Sequence, residues 1–143
     1  MSDLETLEKA ANELVAIYGL ASPPVPIEDI LQNPRADMWK RMDITQLSGT
    51  FLSISHRYSP RMSLARMLVR HVAHSQWGKA RGVLEVIEQN EDLVPVFARM
   101  LIMPRSFVKG LPADERDAET ISERFQVPDD DAIARLEELG DSI

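Results

Sequence analysis

The sequence predicts an α+β fold, mostly helical, with a small antiparallel sheet. Two observations carry the helical part. Apolar residues recur at three- and four-residue spacing over 3–18 and 61–77, the spacing of one helix face. Further short apolar-periodic segments follow, each bounded by proline or glycine. The sheet rests on one tract, Gly49-Thr50-Phe51-Leu52-Ser53-Ile54-Ser55-His56, which is rich in strand formers and sets Phe51 against polar neighbours. The 143 residues suit a single domain spanning 1–143. With 44% apolar and 27% charged residues, the chain can bury a core and is not a disordered polymer.

The elements follow in order. Residues 3–18 form a helix whose face is Leu4, Leu7, Ala11, Leu14 and Tyr18, with Ser2 and Glu5 as capping box and Gly19 as C-cap. Ala21 to Pro26 is a stiff connector, because each proline fixes φ and biases the preceding residue away from helix. Ile27 to Leu31 is a short helix stopped by Asn33-Pro34. Met38–Met42 and Gly49–His56 are the candidate strands, turning at Ser48-Gly49. After Ser59-Pro60 a helix over 61–77 carries the broad stripe Leu64, Ala65, Leu68, Val69, Val72 and Ala73, and Gly78 ends it. Helices over 84–90 and 92–103 come next, then a short one near Phe107 and one from Ala118 to Phe125. The last is opened by Pro128-Asp129-Asp130-Asp131, whose acids suit a helix N-terminus, and carries Ile133, Leu136 and Leu139 up to Gly140.

Several function classes fall away. Without cysteine there are no disulfides, thiolate metal sites or cysteine nucleophiles. No apolar stretch approaches the ~20 residues of a membrane span. The acidic start Met1-Ser2-Asp3-Leu4-Glu5 is unlike a secretory signal, so a cytoplasmic location is expected. No G-x-S-x-G elbow and no glycine-rich phosphate loop is present.

Charge is uneven. Residues 1–43 carry 4 basic and 8 acidic side chains, residues 44–84 carry 6 and none, and residues 85–143 carry 6 and 15, within a net charge of −7. Either the basic centre is complemented internally by its acidic flanks, or it forms an anion or nucleic-acid site from Arg57, Arg61, Arg66, Arg70, Lys79 and Arg81. The acidic total and the lack of a basic arm argue against nucleic acid. Trp39 and Trp77 read as core or edge aromatics.

The order of features resembles the ImmA/IrrE family of bacterial and phage zinc-metallopeptidase-like proteins over roughly residues 8–140. The Pro-rich Ser22 to Glu28 and the glycine-containing Leu47 to Phe51 match early features of that family. Where that family has its core signature, about R-x-[TS]-L-A-H-E-x-G-H, this chain reads Arg61-Met62-Ser63-Leu64-Ala65-Arg66-Met67-Leu68-Val69-Arg70. Its E-x-x-A-N-x-F-A-x-x-L-L-M-P helix is met by Glu91 to Pro104, with Phe97-Ala98 and Met103-Pro104 in register. Its closing F-x-V-S and R-L-x-x-L-G are met by Phe125-Gln126-Val127-Pro128, then Arg135-Leu136 and Leu139-Gly140.

The resemblance implies a minimal zincin-like metallopeptidase domain, and its chemistry is missing here. Two histidines at i and i+4 with a glutamate between them hold and use the zinc. At those positions stand Arg66, Met67 and Arg70, and only Glu91 remains at the third-ligand position. Arginine offers no lone pair to a metal and methionine takes no proton from water. The resemblance therefore implies a pseudoenzyme with no catalytic residues, no cofactor and no metal. Its role is regulatory, through a protein partner such as a helix-turn-helix repressor bound at a cleft containing Arg66, Arg70, His74 and Glu91. In this reading one or both arginines fill the zinc position and pair with Glu91. The rivals are a relocated zinc site using His71 and His74 with His56 or Glu91, and the basic segment as an anion-binding module.

Overall fold

The computed structural model describes residues 1–43 and 57–140. Among the described residues the fold is all-helical: nine α-helices, one 3₁₀ turn and no strand. This overturns the α+β expectation with its antiparallel sheet. The better strand candidate, Gly49–His56, and its Ser48-Gly49 turn lie outside the described residues. The weaker one, Met38–Met42, is irregular chain. Its conformation is set by single anchors instead of a ladder. Asp37 turns the backbone at φ 69° and its carbonyl accepts from Trp77 N–H at 2.8 Å. Trp39 sinks into the core and donates Nε1–H to the Leu31 carbonyl at 3.0 Å.

Helix α1 (Asp3–Ile17) begins as its sequence demands: the Ser2 hydroxyl accepts from Glu5 N–H at 3.1 Å, and Gly19 leaves the helix at φ 62°. Leu7, Ala11 and Leu14 are buried, but Leu4 of the expected stripe is 52% exposed. Helix α2 (Ile27–Gln32) follows the proline connector. Helix α3 (Ser59–His74) starts two residues earlier than expected, since Pro60 falls in its first turn, where a missing N–H costs nothing. It also ends earlier. The Ser75 hydroxyl donates to the Val72 carbonyl at 2.7 Å and accepts from Gly78 N–H at 3.0 Å. One side chain thus closes α3 and caps α4 (Gln76–Ala80). Gly78 therefore sits inside α4, where a Cβ would stand 1.9 Å from the Val72 carbonyl oxygen.

Helices α5 (Val83–Gln89), α6 (Leu93–Ile102), α7 (Arg105–Lys109), α8 (Ala118–Phe125) and α9 (Asp129–Leu139) complete the chain. The 3₁₀ turn Ala113–Glu115 lies between α7 and α8. The centre is α3 against α6; α1 lies on α6 and α5, α2 and α4 flank α3, and α9, paired with α8, reaches back to α6. Fully buried Leu68, Val69, Phe97, Ile102 and Phe125 belong to one core cluster. On α9 the buried stripe is Ala132, Arg135 and Leu139 with half-buried Leu136, and Ile133 faces out at 45% exposure. The expected stripe Ile133, Leu136, Leu139 is thus rotated by one position, and an arginine takes the inward place. No helix among the described residues is long and apolar enough to cross a membrane.

Candidate functional site

The central cations divide into two groups. Arg61 Nη1 lies 2.7 and 3.0 Å from the two oxygens of Glu28, while its other nitrogens reach the Val25 and Gln126 carbonyls at 2.8 and 3.2 Å. Arg81 Nε donates to Glu13 at 2.6 Å and its guanidinium stacks 4.1 Å above the Trp77 ring. Arg57 pairs with Glu123 and stacks on Tyr58. Three of the six basic residues of segment 44–84 are therefore matched by glutamates from the acidic flanks. Internal complementarity accounts for half of the charge asymmetry.

The other group is exposed. Arg66, Arg70 and His74 stand at i, i+4 and i+8 of α3, one above the next along a single ridge. Arg66 donates to the Ser63 hydroxyl at 3.1 Å, one turn back. Arg70 has no hydrogen bond or ion pair among the described residues. Beside the ridge, Met67 and His71 are half-buried. Burial, and then the neighbouring His74, lowers His71 below the ordinary imidazole value.

The expected pairing of Arg66 or Arg70 with Glu91 does not form. Glu91 lies exposed in the loop between α5 and α6, where its carbonyl accepts from Val94 N–H at 3.0 Å. The Arg66 charge is felt instead by Asp131 at the start of α9. Burial raises the Asp131 carboxyl above its ordinary value, against the pull of Arg99 and Arg66. The physical reason is exposure: two hydrated arginines on an outer helix face gain little from a surface carboxylate.

For the alternative metal site, His71 and His74 share α3, and His56 lies outside the described residues. No group of three or more His, Asp or Glu side chains that could hold a metal occurs among the described residues. Trp39 and Trp77 are both buried.

A denser charged group was invisible in the sequence reading. Arg99 grips Glu138 through three contacts of 2.6–3.1 Å and approaches Asp131 at 3.6 Å. Burial works against the Arg99 charge, but Glu138 and Asp131 together hold its pKa above the ordinary value. Beside it Glu8 of α1 meets Arg105 of α7 and Arg135 of α9. Arginine interrupting an apolar stripe on α9 was the one available signal.

No protein-family model matches the chain, no curated protein matches its sequence, and no solved structure matches its fold.

Proposed function

We propose that the chain is a non-catalytic binding protein that docks an acidic segment of a protein partner along the exposed face of α3. The observation that carries this reading is the ridge Arg66, Arg70 and His74. It consists of three exposed basic side chains with no carboxylate partner within ion-pair distance among the described residues. The protein carries a net charge of −7 and matches Arg57, Arg61 and Arg81 internally. Like charges at i and i+4 cost helix stability. An arriving carboxylate offsets that cost and steers the encounter electrostatically.

The resemblance to the ImmA/IrrE family adds a class of partner. Active members act on repressors that silence mobile elements or stress genes, so the partner in this reading is a regulatory protein of helix-turn-helix type. The substitution of Arg66, Met67 and Arg70 at the positions of metal ligands and general base supports binding without hydrolysis. This part rests on analogy of sequence order alone.

The test is fluorescence anisotropy with a labelled, glutamate-rich helical 16-residue peptide as probe. The reading predicts saturable binding that weakens steeply with salt and is lost in the Arg66→Glu/Arg70→Glu double variant. Absent binding, or equal binding by the double variant, overturns it. Tighter binding of a DNA duplex than of the peptide overturns it in favour of a nucleic-acid module.

A further inference from the structure

A cleft of about 400 Å³ opens between α1, α6, α7 and α9, away from the α3 ridge. Its apolar wall includes Leu4, Val96 and Met100, and its polar lining is Glu5, Glu8, Glu138, Arg105 and Arg135. The size falls in the range of small-molecule sites, and so does the combination of an apolar wall with a few convergent polar groups.

The polar part is unbalanced. Arg135 is 1% exposed. Its Nε donates to the Met103 carbonyl at 2.9 Å, but its buried Nη2 has no hydrogen-bond acceptor among the described residues. The facing carboxylate oxygen, Glu8 Oε1, lies 3.6 Å from that Nη2 and already accepts from Arg105 Nε at 3.1 Å. Of the other two carboxylates in the lining, Glu138 is held by Arg99, and Glu5 is exposed in the first turn of α1, where it accepts from the Ser2 hydroxyl. A buried guanidinium proton left without an acceptor is costly, and the remedy is an oxygen acceptor that brings its own negative charge.

We propose that this cleft binds a small monocarboxylate with an apolar tail. The carboxylate lies at Arg105 and Arg135, competing there with Glu8, and the tail covers Leu4, Val96 and Met100. An apolar molecule without a head group leaves Nη2 unmatched, and a small inorganic anion makes no use of the apolar wall. Leu4, 52% exposed at the mouth, is the apolar surface such a tail removes from water.

Isothermal titration with octanoate, octan-1-ol and acetate tests this, with circular dichroism checking that each variant is folded. The expected result is one octanoate per chain, with octanol and acetate at least about tenfold weaker. Val96→Trp, which fills the wall without touching the guanidiniums, abolishes binding, and Arg105→Gln weakens it about tenfold or more. Glu8→Gln tightens it, because the resident competitor loses its charge. That last result separates a ligand site from a purely structural cluster, which Glu8→Gln only weakens. Equal binding of octanol and octanoate, indifference to both Arg105→Gln and Arg135→Met, or no saturable binding at millimolar octanoate overturns the proposal. None of these outcomes bears on the α3 ridge.

Discussion

Arg61 and Glu28 join α3 to α2 through a two-oxygen contact at 2.7 and 3.0 Å, and the same guanidinium ties down the Val25 and Gln126 carbonyls. It thereby fixes the proline connector and the α8–α9 junction to one side chain. Its exposure is 15%, against 64% for Arg57 in the pair with Glu123. Both are arginine–glutamate pairs between basic centre and acidic flank, but only the first is shielded from water.

Arg61→Ala is therefore expected to cost about 2–3 kcal/mol of unfolding free energy, because it strands Glu28 and two carbonyls. Arg57→Ala costs less than about 0.5 kcal/mol, as exposed pairs do. Urea unfolding of the two variants beside the parent checks the difference, and equal losses contradict it.

Gly78→Ala is expected to destabilise by about 2–4 kcal/mol, a severe effect for one methyl group. The added Cβ meets the Val72 carbonyl oxygen at 1.9 Å, and that carbonyl is backbone accepting from Ser75. Gly19→Ala meets no atom within 4 Å and suffers only from its φ of 62°, so its loss is smaller, about 1 kcal/mol. Thermal unfolding orders the two.

His71 gives the pH dependence a sign. Its pKa is lowered on folding by burial and by His74, so the unfolded chain binds its proton more readily. The His71 contribution to stability is intact well above pH 6.5. It declines as pH falls through the unfolded-state value toward the lower folded value. His71→Gln flattens this part of the profile. Denaturant midpoints at pH 5, 6, 7 and 8 for both proteins check it; an unchanged slope contradicts it.

Arg135→Met is expected to cost about 1–3 kcal/mol, because it removes the donor to the buried Met103 carbonyl and takes one of its two arginines from Glu8. Methionine fills much of the same buried volume, so this loss comes from the polar contacts and not from a void. Arg135→Ala leaves a void as well and costs more than Met at the same position. The comparison of the two by urea unfolding separates volume from charge.

Most helices were legible because their signals are local. Ser2 caps α1, Pro60 and Pro128 sit at helix starts, and Gly19 and Gly140 follow helix ends. What was not legible depended on distant partners. Ser75 breaks the 61–77 helix because its hydroxyl serves two backbone groups at once, which no periodicity reveals. Ile133 read as part of the inward stripe of α9, and Arg135 had no place in that stripe. Tertiary packing reversed them, because Met103 and Glu8 supply the arginine with partners. Met38–Met42 had strand composition, yet Asp37 and Trp39 anchor it to α4 and α2 through single hydrogen bonds. The α3 ridge was legible as residues. That Glu91 is not its partner was not legible, since the resemblance alone placed Glu91 beside it.

The central claim is that Arg66, Arg70 and His74 make the outer face of α3 a cationic ridge that takes up acidic groups and not a metal. Elemental analysis after incubation with excess zinc and desalting tests it most directly. The account predicts well under one zinc per chain, with no change on replacing His71 and His74 by alanine. About one tightly held zinc per chain, lost on that replacement, contradicts it and makes the protein a metal site relocated by one helical position.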